Sequence, residues 1–262
     1  MLIEVKGLVI RTVNLSDNDK LLTIFTEEYG KLTAVANGSR VLKSRYLAAA
    51  QLFCYASYVL YKKGDRYWVR EVNLIESFFD LRADLTRTSL AAYICDVADD
   101  VVEENAPEKD FLRLVLNSLY ATAKGQYPQK LIKAAFELRA ACLLGFQPMI
   151  EHCHACGNDK GDFYLDVMNG MVLCAECYGS GQYQEIPLSP NDIRTSRIIC
   201  PLSEGARAAM VYTVFCPLAR LFAFRIDNKD GDMFAYATEK YLLNHLERGF
   251  KSLDFYKQIA DE

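Results

Sequence analysis

The sequence predicts a mixed α and β chain: a five-stranded barrel at the N-terminus, then an α-helical domain carrying a four-cysteine segment. Three observations predict it. Apolar and polar residues alternate through much of residues 1–79, the period of half-buried strands. From Asp80 onward the apolar spacing changes to three and four, the period of helices. Two Cys-x2-Cys pairs, Cys153 with Cys156 and Cys174 with Cys177, interrupt the helical half.

The first strand is "LIEVKGLVIRTV". Ile3 and Val5 share a face. After Gly7 the apolar parity shifts to Leu8 and Ile10, which predicts a glycine-marked bulge and puts Val9 and Arg11 on the outer face. "KLLTIFTEE" and "KLTAVANG" follow, joined tightly at Tyr29-Gly30. "LFCYASYVLY" and "RYWVREVNLI" are joined by the hairpin signal Lys62-Lys63-Gly64-Asp65. Between the third and fourth strands lies "SRVLKSRYLAAAQ", a basic connector with room for a short helix. Three strands, a connector and two strands is the plan of an OB-fold barrel. An SH3-like barrel has the strand count but usually a shorter connector.

Leu81, Leu85, Tyr93, Val97 and Val101 mark the first helix, ending before Pro107, with an acidic exposed side. Phe111, Leu114, Val115 and Leu119 mark a second. Pro128 opens a third, striped by Leu131, Ala135, Leu138 and Cys142, ending near Gly145. Ser189-Pro190-Asn191-Asp192 reads as an N-cap with a short helix after it. "GARAAMVYTVFCPLARLFAF" and "FAYATEKYLLNHLERGF" read as helices. The expected organisation is a barrel over 1–79, a helical domain over 80–150 and 185–262, and a ribbon over 151–184 inserted within it.

Half of the 262 residues are apolar, enough to bury a real core. No apolar run approaches the ~20 residues of a membrane helix, and "MLIEVKGLVI" lacks a signal-peptide layout. A soluble, cytoplasmic protein without a membrane partner is expected. Cys54, Cys95, Cys142, Cys200 and Cys216 lie in apolar surroundings and read as buried reduced thiols. The net charge of −4 argues against nucleic acid, but its distribution does not: residues 31–70 carry +7 and residues 71–110 carry −8.

In each Cys-x2-Cys pair, two intervening residues let both thiolates face one ion from a single turn. Two such turns make the tetrahedral sulfur site that Zn²⁺ favours. The alternatives are an iron–sulfur cluster or unliganded redox pairs. Asn169-Gly170 between "FYLDV" and "MVLC" predicts a type I′ hairpin that brings the pairs together. Four thiolates close the coordination shell, so the zinc is expected to be structural, with His152 and His154 merely flanking it. No nucleophile elbow, phosphate loop, dinucleotide fingerprint or His-Glu-x-x-His occurs. "SDNDK" at 16–20 reads as a solvated turn, and "NKDGD" at 228–232 lacks the bidentate acid of a calcium loop.

A binding protein is therefore expected. Such barrels grip nucleic acid with a basic groove and aromatic platforms. Lys31, Arg40, Lys43, Arg45, Lys62 and Lys63 supply the charge, joined by Arg11 on the first strand. Tyr46, Tyr58, Tyr61, Tyr67 and Trp68 are interleaved with them.

The run "SDNDKLLTIFTEEYGKLTAVANGSRVLKSRY" resembles the N-terminal barrel of the RecO family of bacterial DNA-repair and recombination mediators. The resemblance rests on Asp19-Lys20, Thr23, Phe25-Thr26, Gly30-Lys31 and the basic Lys43-Ser44-Arg45. It continues through "ELRAACLLGFQP", the four cysteines and "YLLNHLERGFKSLDFYKQI", with Phe250-Lys251-Ser252-Leu253 as the closing motif. It implies an OB-fold, a helical domain with a lodged zinc segment, and Lys20 among the DNA-binding residues. It also implies binding of single- and double-stranded DNA, annealing of complementary strands, and partnership with RecR and single-stranded-DNA-binding protein to load RecA. Glu27-Glu28 and the negative net charge depart from the more basic barrels of the family. For the acidic, apolar tail of the single-strand-binding protein, the third helix offers Lys130, Lys133 and Arg139. The competing readings are a zinc-dependent nucleic-acid-processing enzyme using His152, His154 or the acids at 17–19, and a zinc-ribbon adaptor.

Overall fold

The structure is a computed structural model that describes residues 2–64, 66–180 and 197–260. The capping sequence at 189–192 lies outside the described residues. Five strands, β1 (Leu2–Asn14), β2 (Lys20–Thr26), β3 (Gly30–Ala36), β4 (Tyr55–Lys63) and β5 (Arg66–Glu76), form a closed barrel in the order β1-β2-β3-β5-β4. β1 is long enough to pair with both β2 and β4, and the parallel pairing of β3 with β5 completes the circle. Closure removes the exposed sheet edges. The connector between β3 and β4 is a chain of turns without a regular helix.

The strand periodicity holds, with one correction. Ile3, Val5 and Val9 all enter the barrel core beside Leu22, Ile24, Leu32 and Leu60, so the parity runs unbroken through Gly7. A Cβ on Gly7 would collide with Ile24, and its carbon-free face lets β2 close in. The bulge lies further on, between Val9 and Arg11, where Ile10 is the extra residue. Leu8 and Ile10 are buried outside the barrel core. On that side α1 (Leu85–Val101) packs against β1 and α2 (Lys109–Lys124) against β2, with Phe25 and Phe111 rings 6.2 Å apart. Those residues are apolar on both strand faces because both faces are covered. Tyr58 is core as well, its hydroxyl donating to the Ala49 carbonyl at 2.9 Å.

The chain divides into two compact units, residues 1–126 with 250–262, and residues 127–249. The first holds the barrel, α1, α2 and the last helix, α7 (Lys251–Ala260), which packs on α1 with Phe250 edge-on to Tyr93.

In the second unit α3 (Gln129–Leu143) packs against α6 (Asn228–Leu246) and α5 (Glu204–Phe215). The stretch after α5 leaves the helix at Cys216 because Pro217 cannot continue it, so the expected helix over 205–224 is cut short. A three-stranded sheet, β7 (Met171–Cys174), β6 (Phe163–Asp166) and β8 (Ile199–Leu202), carries the cysteine segment with the short α4 (Ala175–Gly179).

Between β6 and β7 four residues intervene, not the two of a type I′ turn. The Asp166 carboxylate, 1% exposed, governs that loop. It accepts from the Met168 and Asn169 amides at 3.1 Å and from Asn169 Nδ2 at 2.8 Å. Gly170, at φ +62°, brings the chain back. Among the described residues no helix is long and apolar enough to cross a membrane.

Candidate nucleic-acid interface and metal centre

Strand register gathers three segments at one end of the barrel. Lys20 opens β2 opposite Ala36 at the end of β3. The parallel pairs Ala34–Tyr67 and Val35–Trp68 set the start of β5 beside them, and Lys63 faces Arg66 across the β4–β5 hairpin. The β1–β2 loop, the start of the connector and the hairpin therefore share that end. Hydrogen bonds stitch the first two together: the Arg40 amide donates to Asn18 O at 3.0 Å, its guanidinium to Ser16 O at 2.6 Å, and the Gly38 amide to Asp19 Oδ1 at 2.8 Å.

Arg40, Lys43 and Arg45 on the connector and Lys62 and Lys63 at the hairpin are exposed, and among the described residues none of the five forms an ion pair. Arg45 lies over the Tyr46 ring at 4.8 Å and donates to Arg70 O at 2.9 Å; Lys62 sits 5.6 Å from the Tyr67 ring. Tyr61 and Trp68 stack with centroids 6.3 Å apart and their planes 18° from parallel. Cations on aromatic faces give stacking surfaces beside positive charge. Arg66 is exposed opposite Lys63 at the hairpin, and Arg70 is exposed further along β5, 3.9 Å from Glu71; the +7 window contained both.

Three expected DNA-binding residues are engaged elsewhere. Arg11 and Lys31 both face Asp99 of α1, at 3.4 and 3.3 Å, and Lys31 also bonds the Asp99 carbonyl. The acidic side of α1 thus takes two cations out of the basic set. Lys20 is half-buried and donates to Ala50 O at 3.3 Å and Gln51 Oε1 at 3.2 Å; burial, then the nearby Arg40 charge, lowers its pKa.

On α3 the three partner-site candidates separate. Lys130 is paired with Asp232, and Arg139 donates to the Cys216 carbonyl. Lys133 does not rim a surface. It is 4% exposed, with its ammonium 2.9 Å from Glu137 and 2.8 Å from Glu239. Almost every side of this helix is covered, so its charge lies inside an ion cluster.

The four cysteines converge: all four Sγ atoms lie within 4.8 Å of one another, and those of Cys156 and Cys174 are 3.7 Å apart. Metal–sulfur bonds of 2.3 Å in a tetrahedron put sulfurs about 3.8 Å apart, so this set can hold a metal ion. Gly157, at φ +76°, closes the first knuckle with its amide on Cys153 O at 2.9 Å. The His154 amide on Val172 O, at 2.9 Å, ties that knuckle to β7. Burial pushes the Cys153 thiol up, but the backbone amides of Cys174, Cys156 and Ala155 outweigh it and hold it at about 6, favouring thiolate. His152 and His154 are exposed and outside the set. Four thiols leave no open position for substrate.

From α5, the 8% exposed Arg207 donates to Glu151 O at 2.6 Å and Ile150 O at 3.2 Å, and also to Asp159 O. Its guanidinium lies 4.5 Å from the Phe163 ring centre. This cation pins both ends of the first knuckle to the helices, and nothing in the cysteine spacing announced it.

Residues 1–78 match the family model "Recombination protein O N terminal" and residues 82–254 match "Recombination protein O C terminal". Among similar proteins, "DNA repair protein RecO" of Acetivibrio thermocellus is 33% identical over 98% of this chain and 97% of its own. The protein of that name from Caldicellulosiruptor saccharolyticus is 28% identical over 98% of each chain. That of Bacillus subtilis is 29% identical over 76% of this chain and 77% of its own.

Proposed function

This chain belongs to the RecO family of DNA repair and recombination proteins, and from that premise we propose that it is a non-enzymatic mediator which grips DNA with the basic end of its barrel. It binds single and double strands, anneals complementary strands and helps to load recombinase on DNA coated with single-strand-binding protein. The observation that carries this reading is a barrel that exposes Arg40, Lys43 and Arg45 on one connector and Lys62 and Lys63 at the β4–β5 hairpin, none with an ion pair among the described residues, with Tyr61 and Trp68 stacked on the hairpin strands. Cations of this kind track phosphates, and each neutralised phosphate releases counterions. The partners are DNA, RecR and the acidic tail of single-stranded-DNA-binding protein, with RecA served indirectly, in the cytoplasm and on the nucleoid. Lys130 and Arg139 are the basic groups that α3 offers that tail, whereas Lys133 is enclosed by Glu137 and Glu239.

The metal is Zn²⁺, held by Cys153, Cys156, Cys174 and Cys177. It supplies cross-linking of the two knuckles, a structural service. The protein's own residues do the rest: Arg207 docks the segment on α5, and the barrel presents the cations.

The test is oligonucleotide binding across a salt series. Replacing Arg40, Lys43 and Arg45 with Ala together is expected to weaken single-strand binding and to flatten the logarithmic salt slope by about 2, from ~0.7 per lost phosphate contact. Unchanged affinity and slope in the folded triple variant refute the assignment.

A further inference from the structure

The connector that carries Arg40, Lys43 and Arg45 also carries an apolar tip that the barrel does not need. Leu42 is 89% exposed, the highest value of any large apolar side chain among the described residues, and its neighbour Val41 is 46% exposed. Leu42 and Lys43 are the two central residues of a turn closed by the Ser44 amide on Val41 O at 2.8 Å. Such positions ordinarily take Gly, Asn, Asp or Pro, so the turn itself does not ask for leucine. Arg40 precedes the tip, and Lys43 and Arg45 follow it. Arg40 also holds the β1–β2 loop through Ser16 O, and that loop exposes Leu15 at 48%.

On a connector whose cations take phosphates, an exposed apolar side chain flanked in sequence by those cations has base faces as its apolar partner on the same strand. We propose that Leu42, with Val41 beside it, is a base-contacting wedge that packs on the unstacked bases of a single strand while Arg40, Lys43 and Arg45 hold its phosphates. This rests on the DNA-binding reading above and adds to it a contact independent of charge. Apolar wedges of this kind work on base faces and are blind to sequence.

The experiment compares a thymidine oligonucleotide with an abasic strand of equal phosphate number, using the full chain with native residues and with Leu42→Ala. The native protein is expected to bind the base-bearing strand more tightly than the abasic one. Leu42→Ala should weaken binding of the base-bearing strand about tenfold, within the range of one lost stacking contact. Its affinity for the abasic strand and its salt slope should not move, and Leu42→Met should restore binding. At so exposed a position the thermal midpoint should also stay the same. Leu42→Ala binding both strands as the native protein does overturns the wedge while leaving the phosphate contacts standing. A native protein that binds neither strand at low salt overturns the DNA reading itself.

Discussion

Replacing Lys133 with Met tests the buried ion cluster of α3 and α6. The ammonium is 2.9 Å from Glu137 Oε1 and 2.8 Å from Glu239 Oε2, and Thr238 Oγ1 donates to Glu137 at 3.3 Å. Glu137 is wholly buried and the Glu239 side chain 13% exposed. Burial lowers the Lys133 pKa, but the two carboxylates outweigh it and hold it above the ordinary lysine value. A raised lysine pKa stabilises the fold at every pH below the unfolded value near 10.4, and that stabilisation fades as pH climbs through the folded value.

Methionine keeps the stem and removes the charge, leaving two carboxylates in low dielectric without that cation. Breaking a buried pair in this way costs about 3–5 kcal/mol. Urea unfolding at neutral pH should show a loss of that size. The deficit should shrink as the pH is lowered from about 7 to 5, because protonating one crowded carboxylate relieves the repulsion. Adding Glu137→Leu and Glu239→Leu to Lys133→Met should recover most of the loss, since an apolar replacement of the whole cluster is often neutral. A cost below about 1 kcal/mol for Lys133→Met, or no recovery in the combined variant, would refute the electrostatic account.

Three further outcomes are expected. Gly30→Ala should destabilise the barrel by roughly 3 kcal/mol or more in equilibrium unfolding: Gly30 sits at φ +58°, and a Cβ there would press on the carbonyl oxygens of Glu103 and Ala106. Arg11→Ala with Lys31→Ala should change single-strand affinity far less than the connector triple variant, because both cations already face Asp99; equal losses in a filter-binding assay would contradict that. Cys156→Ser should weaken the thiolate-to-metal absorption of the cobalt-substituted protein by about a quarter or more and lower the thermal midpoint, with oligonucleotide binding retained; lost DNA binding in the folded variant would make the metal more than a structural clip.

The alternation of β1 to β5 and the change to helical spacing at residue 80 were legible because each is a local period, set by which side chains must leave water. The four cysteines that could hold a metal ion were legible too, since two residues between cysteines already fit one ion. Several features were not. The site of the bulge in β1 escaped because Leu8 and Ile10 are apolar for a reason outside the barrel, the helices that cover them. The β6–β7 turn was misjudged because the buried Asp166 carboxylate, and not Asn169-Gly170 alone, sets its length. A four-residue strand such as β8 carries too short a pattern to stand out.

The sequence by itself determined the five barrel strands, the main helices, where a metal can sit and which stretch is basic. Only the tertiary structure decided which cations are free to act. Helical spacing cannot distinguish Lys133, enclosed by two glutamates, from a lysine in water, and a charge window cannot separate Arg11 and Lys31, taken up by Asp99, from Arg40, Lys43 and Arg45. The physical reason is that a charge's role depends on its partners and its dielectric surroundings, and both come from residues distant in the chain.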